Sequence, residues 1–227
     1  LFDREFFVRE VGGFPVSVRY EDQEATAKAY LRGTFDVLNV NVYLWRRRIE
    51  GTSITQQKTD RADLADRLEV KGAVSRLMAA EASPAVFQAW MAKAIGFDLR
   101  PYLEQIPRTG EEFWLRFREG ILGFVEVASD DIWRSVSLVD RYPALCVRDG
   151  HRDDAVRFLT RRDERGWCFP TDVQGTVVTL APSYLDGMEY RPSAALLTLG
   201  PADLRLTAKL ERWSWRGDDL VLEGHAF

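Results

Sequence analysis

The sequence predicts an α/β segment, then a mostly helical region, then the start of an antiparallel sheet. Three observations predict it. Helix-like and strand-like runs mix over residues 1–58, apolar residues recur three to four apart from Asp60 to about Leu138, and apolar and polar residues alternate from Leu204 onward. The units expected are therefore 1–58, 59–200 and 201–227.

In the first unit, the chain opens on the helix-like Leu1-Phe2-Asp3-Arg4-Glu5-Phe6-Phe7, with apolar residues leading to Gly12-Gly13. A helix is expected from Glu21 to Arg32, ended by Gly33. Phe35-Asp36-Val37-Leu38 and Val40-Asn41-Val42-Tyr43 read as strands. In the second unit, Leu64 and Leu68, then Val86, Phe87, Trp90, Met91 and Ala94, fall at helical spacing. Ser83-Pro84 supplies an N-cap and a first-turn proline, and Thr109-Gly110-Glu111-Glu112 has capping-box spacing. The helix begun there sets Phe113, Phe117, Ile121 and Phe124 on one face. A shorter helix is expected over 153–162, and the Pro- and Gly-containing stretch from Gly166 to Pro201 reads as a linker. In the third unit, Leu204, Leu206, Ala208 and Leu210 alternate with polar residues, with a turn at Gly217-Asp218-Asp219 before Leu220-Val221-Leu222. Two strands are too few for an independent sheet, so these are expected to pair with further sequence or to cover the helices. Both ends fall inside a predicted element, and a piece of a longer polypeptide is the expectation.

Composition is that of an ordinary globular protein, with 46% hydrophobic and 29% charged residues among 227. A formal charge of −4 argues against a general nucleic-acid binder, so any phosphate site must be local. Cys146 and Cys168 make no metal-ligand spacing, and they read as incidental thiols in a reducing compartment. The longest apolar run, Ile121 to Val125, is far short of a membrane span. A cytoplasmic, soluble chain is expected. His151 and His225 read as surface histidines, and Tyr20 and Trp45 as core aromatics or walls of a pocket.

Chemistry concentrates in the first unit. Tyr20-Glu21-Asp22-Gln23 opens a helix with adjacent carboxylates. About twenty residues later come Val42-Tyr43-Leu44-Trp45-Arg46-Arg47-Arg48 and Ser53-Ile54-Thr55-Gln56-Gln57. A carboxylate can take a proton from a hydroxyl, while arginine's fixed fork and hydroxyl donors suit a departing diphosphate. The same residues also have plainer uses. Acids in a first turn favour the helix dipole, arginine runs are commonly solvated, and Ser53 and Thr55 could cap a helix beginning near Asp60.

Leu1-Phe2, the acidic pair, Trp45-Arg46 and Ser53-Ile54-Thr55-Gln56-Gln57 occur in an order that resembles the C-terminal half of a GT-A domain of inverting glycosyltransferase family 2. The continuation, a helical linker and a truncated β-sandwich carrying Trp213-Ser214-Trp215-Arg216-Gly217, is similar to wall teichoic acid glycosyltransferases and related actinobacterial proteins. The resemblance implies Asp22 as base with Glu21 beside it, and Arg48, Ser53 and Thr55 at the donor diphosphate, with Arg46 an alternative to Arg48. It implies inverting transfer from a nucleotide-sugar donor, a UDP-sugar, to a polyol-phosphate or glycan hydroxyl of a cell-envelope polymer. Peripheral association at the inner face of the membrane and homo-oligomerisation through the β-sandwich region are further implications. The family holds Mg2+ or Mn2+ with two aspartates one residue apart. No such pair occurs here, so that motif is expected upstream and this chain is expected to be inactive alone. The alternative is that residues 59–227 form a non-catalytic helical and β interaction or oligomerisation module.

Overall fold

The computed structural model describes residues 3–16, 19–36, 39, 61–201, 203–204 and 208–226. These are mostly helical, with two antiparallel sheets of two strands each. Helix α1 (Arg4–Phe6) is capped by Asp3, whose Oδ1 accepts the Phe6 N–H at 2.9 Å, and it passes into a π-helical turn, Phe7–Val11. Helix α2 (Asp22–Arg32) ends at Gly33 as predicted, but the glycine is needed for space: an added Cβ would lie 2.6 Å from Cζ of Phe6. The strand-like runs after it fall mainly outside the described residues, and Phe35 and Asp36 are irregular.

Helix α3 (Arg61–Glu81) lies against α2, and Arg32 ties their far ends by donating from Nε to Glu81 Oε2 at 2.8 Å. Helix α4 (Pro84–Lys93) starts as predicted, with Ser83 Oγ accepting the Val86 N–H at 3.4 Å. It continues into a π-helical turn, Ala94–Asp98, a short α5 (Arg100–Leu103) and a 3-10 turn, Ile106–Arg108.

Helix α6 (Glu111–Val125) corrects the capping-box expectation. Gly110 is its N-cap, and the Thr109 hydroxyl instead donates to the Gln105 carbonyl at 2.9 Å. Its predicted apolar face holds, since Phe113, Phe117, Ile121 and Phe124 are all buried. Gly120 permits close packing on α3, because an added Cβ would meet Leu68 Cδ1 at 2.4 Å.

Helix α7 (Asp130–Ser135) leads to α8 (Leu138–Asp149), the central helix, in which Leu138 and Asp140 to Val147 are buried. Asp203 caps α8 from a distance, accepting the Leu138 N–H at 2.5 Å and the Ser137 hydroxyl at 2.6 Å. Buried Asp140 is held by Arg100 through two bonds of 2.8 and 2.6 Å. Helix α9 (Arg152–Glu164) follows left-handed Gly150.

The linker expectation for 166–201 is overturned. Strands β1 (Thr171–Gln174) and β2 (Val177–Leu180) form a hairpin, and Leu180, Tyr184, Leu185, Met188, Tyr190 and Leu196 enter the main core beside Tyr142 and Phe158. Asp154 of α9 accepts the Glu189 and Tyr190 N–H groups at 3.0 and 2.7 Å, which fixes the path of this stretch. A linker would expose these apolar side chains; here their burial stabilises the helices they cover.

Strands β3 (Ala208–Arg216) and β4 (Asp219–Ala226) pair antiparallel around the predicted turn. Trp213 faces Leu222 and Trp215 faces Leu220, while Arg212 pairs with Glu223 on the other side. Glu211 is an extra residue in the ladder, and it returns Leu210, opposite Gly224, to the tryptophan face. Leu210, Trp213, Trp215, Leu220 and Leu222 are each more than half exposed.

Candidate functional site

The acidic pair sits on a turn whose shape is fixed from outside. Tyr20 has φ 66, a conformation that bulky residues avoid and that persists only where surroundings enforce it. Here they do: the Tyr20 hydroxyl donates to Oδ1 of Asp63 at 2.5 Å, and the Tyr102 hydroxyl donates to Oδ2 at 2.6 Å. The two phenol oxygens are 3.3 Å apart, and Asp63 is fully buried beneath them. Burial, and then the bond to Asp63, push the Tyr102 phenol far above its ordinary value, so it stays a donor at any working pH. Arg19 reaches Asp63 at 3.9 Å and Asp66 at 3.6 Å from the same turn.

With Tyr20 tied down, Glu21 and Asp22 emerge into solvent at the start of α2. Glu21 is the N-cap residue, and no side chain makes the cap hydrogen bond. Asp22 is the first helical residue, at the positive end of the helix dipole. Both predicted carboxylates are thus accessible on one fixed turn. Arg48, Ser53 and Thr55, with Trp45 and Arg46, lie outside the described residues.

Sequence reading missed the support beneath this turn. Along α3, Asp63, Arg67, Lys71 and Ser75 are spaced by four and share one face; Asp63, Lys71 and Ser75 are buried. The guanidinium carbon of Arg67 lies 3.8 Å from the Tyr20 ring centroid, stacked on the tyrosine that shapes the turn. Lys71 Nζ binds Asp98 Oδ2, and Lys93 Nζ binds both oxygens of Asp98 at 2.9 and 3.1 Å. Burial lowers the Lys71 ammonium from its ordinary value by more than Asp98 restores, with Arg67 and Lys93 adding to the drop. Burial alone would raise the Asp98 carboxyl, but Lys71 and Lys93 together hold it below the usual range. The signal available was the i, i+4 polar stripe on α3, hidden because Leu64 and Leu68 marked the same helix as apolar.

Elsewhere, His151 is partly exposed and stacks on Tyr190 with ring centroids 4.6 Å apart. It lines a polar cavity of about 300 Å³ with Glu111, Arg152, Asp154, Arg157 and Glu189. Cys146 is buried and Cys168 exposed, both free. Among the described residues no group of three His, Cys, Asp or Glu is placed to hold a metal ion, and no helix is long and apolar enough to cross a membrane. No family model, curated protein or solved structure matches this chain.

Proposed function

We propose that this chain is the C-terminal part of a GT-A catalytic domain with its helical and β extension, within an inverting glycosyltransferase. The enzyme moves a sugar from a nucleotide donor, a UDP-sugar, to a hydroxyl of a polyol-phosphate or glycan polymer at the inner face of the membrane. The observation that carries this reading is the exposed Glu21-Asp22 pair on a turn pinned by Tyr20 to buried Asp63. A base must be accessible and rigidly placed, and this turn supplies both conditions. Asp22 takes the acceptor proton, and Arg48, Ser53 and Thr55 are assigned to the departing diphosphate. The Mg2+ or Mn2+ that such enzymes use is expected to be held by a motif upstream of this chain, and no step of this proposal runs through a metal. The test is sugar transfer by the gene product that carries this chain: Asp22→Asn should cut the rate by about a hundredfold or more with folding intact. Unchanged transfer would remove Asp22 from the role.

A second reading has its own support. The Trp213, Trp215, Leu220 and Leu222 face of the β3–β4 hairpin has the exposed apolar character of an interaction surface. As a non-catalytic module the chain would show no nucleotide effect in any context, and Asp22→Asn would be silent.

A further inference from the structure

The geometry points to an oxyanion seat at Arg67, binding a phosphate group beside the acidic pair; this rests on the reading of that pair as the transferase base. Three observations converge on Arg67. Its guanidinium carbon lies over the Tyr20 ring, 3.8 Å from the centroid, so the cation is held against the tyrosine that shapes the turn. Its Nε–H is buried without an acceptor, and among the described residues no carboxylate pairs with it. Finally, the carboxylates of the seam it belongs to face other cations: Asp63 and Asp66 face Arg19, and Asp98 faces Lys71 and Lys93. Among the described residues none of these carboxylates forms an ion pair with Arg67.

Arg67 is only partly exposed, so an anion approaches the terminal N–H groups rather than Nε. A phosphate oxygen there gains charge-assisted bonds from a guanidinium whose rotamer Tyr20 already holds, so little ordering remains to be done on binding. Tyr20 is two residues from Asp22, so the anion would sit against the turn that carries the proposed base. Phosphate is the shared chemistry of a nucleotide-sugar's diphosphate and of a polyol-phosphate acceptor, and the assay separates them.

The experiment is isothermal titration at low ionic strength of the 227-residue chain with inorganic phosphate, UDP and glycerol 3-phosphate in turn. The expected result is binding of at least one probe, lost by about ten- to a hundredfold in Arg67→Ala, as removal of a hydrogen-bonded charge gives. A stronger loss for UDP assigns the seat to the donor, and for glycerol 3-phosphate to the acceptor. Arg67→Gln serves where Arg67→Ala fails to give the wild-type circular dichroism spectrum. Equal affinities in variant and wild type, or no binding of any probe by wild type, overturn the seat. Binding through Arg67 in a gene product that transfers no sugar retires the transferase and keeps the seat. Transfer by a gene product whose phosphate binding ignores Arg67 does the reverse.

Discussion

The hydroxyl of Tyr20 lies 2.5 Å from Oδ1 of Asp63, joining the turn that carries the acidic pair to the first turn of α3 across 43 residues of sequence. That bond lets a tyrosine remain at φ 66 and satisfies one oxygen of a fully buried carboxylate. Tyr20→Phe should therefore destabilise the chain by about 1–3 kcal/mol, since it removes a hydrogen bond to a buried carboxylate. Urea unfolding of both proteins measures it; a change within a few tenths of a kcal/mol would mean that the other partners of Asp63, Tyr102 and Arg19 among them, suffice for it.

Gly120 is a glycine inside α6, where helix propensity favours alanine by about 1 kcal/mol. The added Cβ would fall within 3.0 Å of three Leu68 side-chain atoms, and relieving such a clash in a packed core costs about 1–3 kcal/mol. Gly120→Ala is expected to lower the melting temperature despite its propensity. A higher one would show that α3 and α6 separate easily.

Asp98 sets part of the acid stability. Its folded-state carboxyl is held below the ordinary value by Lys71 and Lys93, so its contribution is present at neutral pH and lost as pH falls from about 4 through the folded value. Lys71 acts at the other end: with its folded value lowered by burial, stability from this group rises as pH climbs toward the ordinary lysine value. Asp98→Asn should lower stability at pH 7 and flatten the decline between pH 5 and pH 3. Denaturant midpoints across that range decide it, and parallel curves for wild type and variant would contradict the assignment.

Trp213 and Trp215 stand on the open face of the β3–β4 hairpin, while Trp114 and Trp133 are buried. Iodide should quench the first two strongly, with exposed Trp167 contributing as well, and Trp213→Phe with Trp215→Phe should reduce the quenchable emission relative to wild type. Resistance to iodide in the wild-type chain would reveal a cover over this face in solution, and dilution that restores quenching would identify the cover as a second copy.

Local rules carried far in this protein. Ser83-Pro84 starts α4, Gly33 ends α2, and Phe113, Phe117, Ile121 and Phe124 bury one face of α6, because caps and periodicity act within a few residues. The place of Glu21 and Asp22 at a helix start was legible for the same reason. Competition for partners was not. Thr109 spends its hydroxyl on the Gln105 carbonyl, so the capping box fails, and Glu211 bulges from β3, so the apolar phase moves from Leu210 to Trp213. The stretch after Gly166 has the composition of a linker, yet Tyr184, Met188 and Leu196 are buried because α8 and α9 present an apolar surface to cover.

The sequence by itself determined where the helices start and stop and which turn carries two carboxylates, since neighbouring residues set both. Only the tertiary structure decided what holds that turn. Asp63 meets Tyr20 and Tyr102 from 43 and 39 residues away, and Arg67 finds its aromatic platform on a different segment. A polar side chain on a helix face has no preferred partner until packing brings one within reach, and burial then makes that partner obligatory.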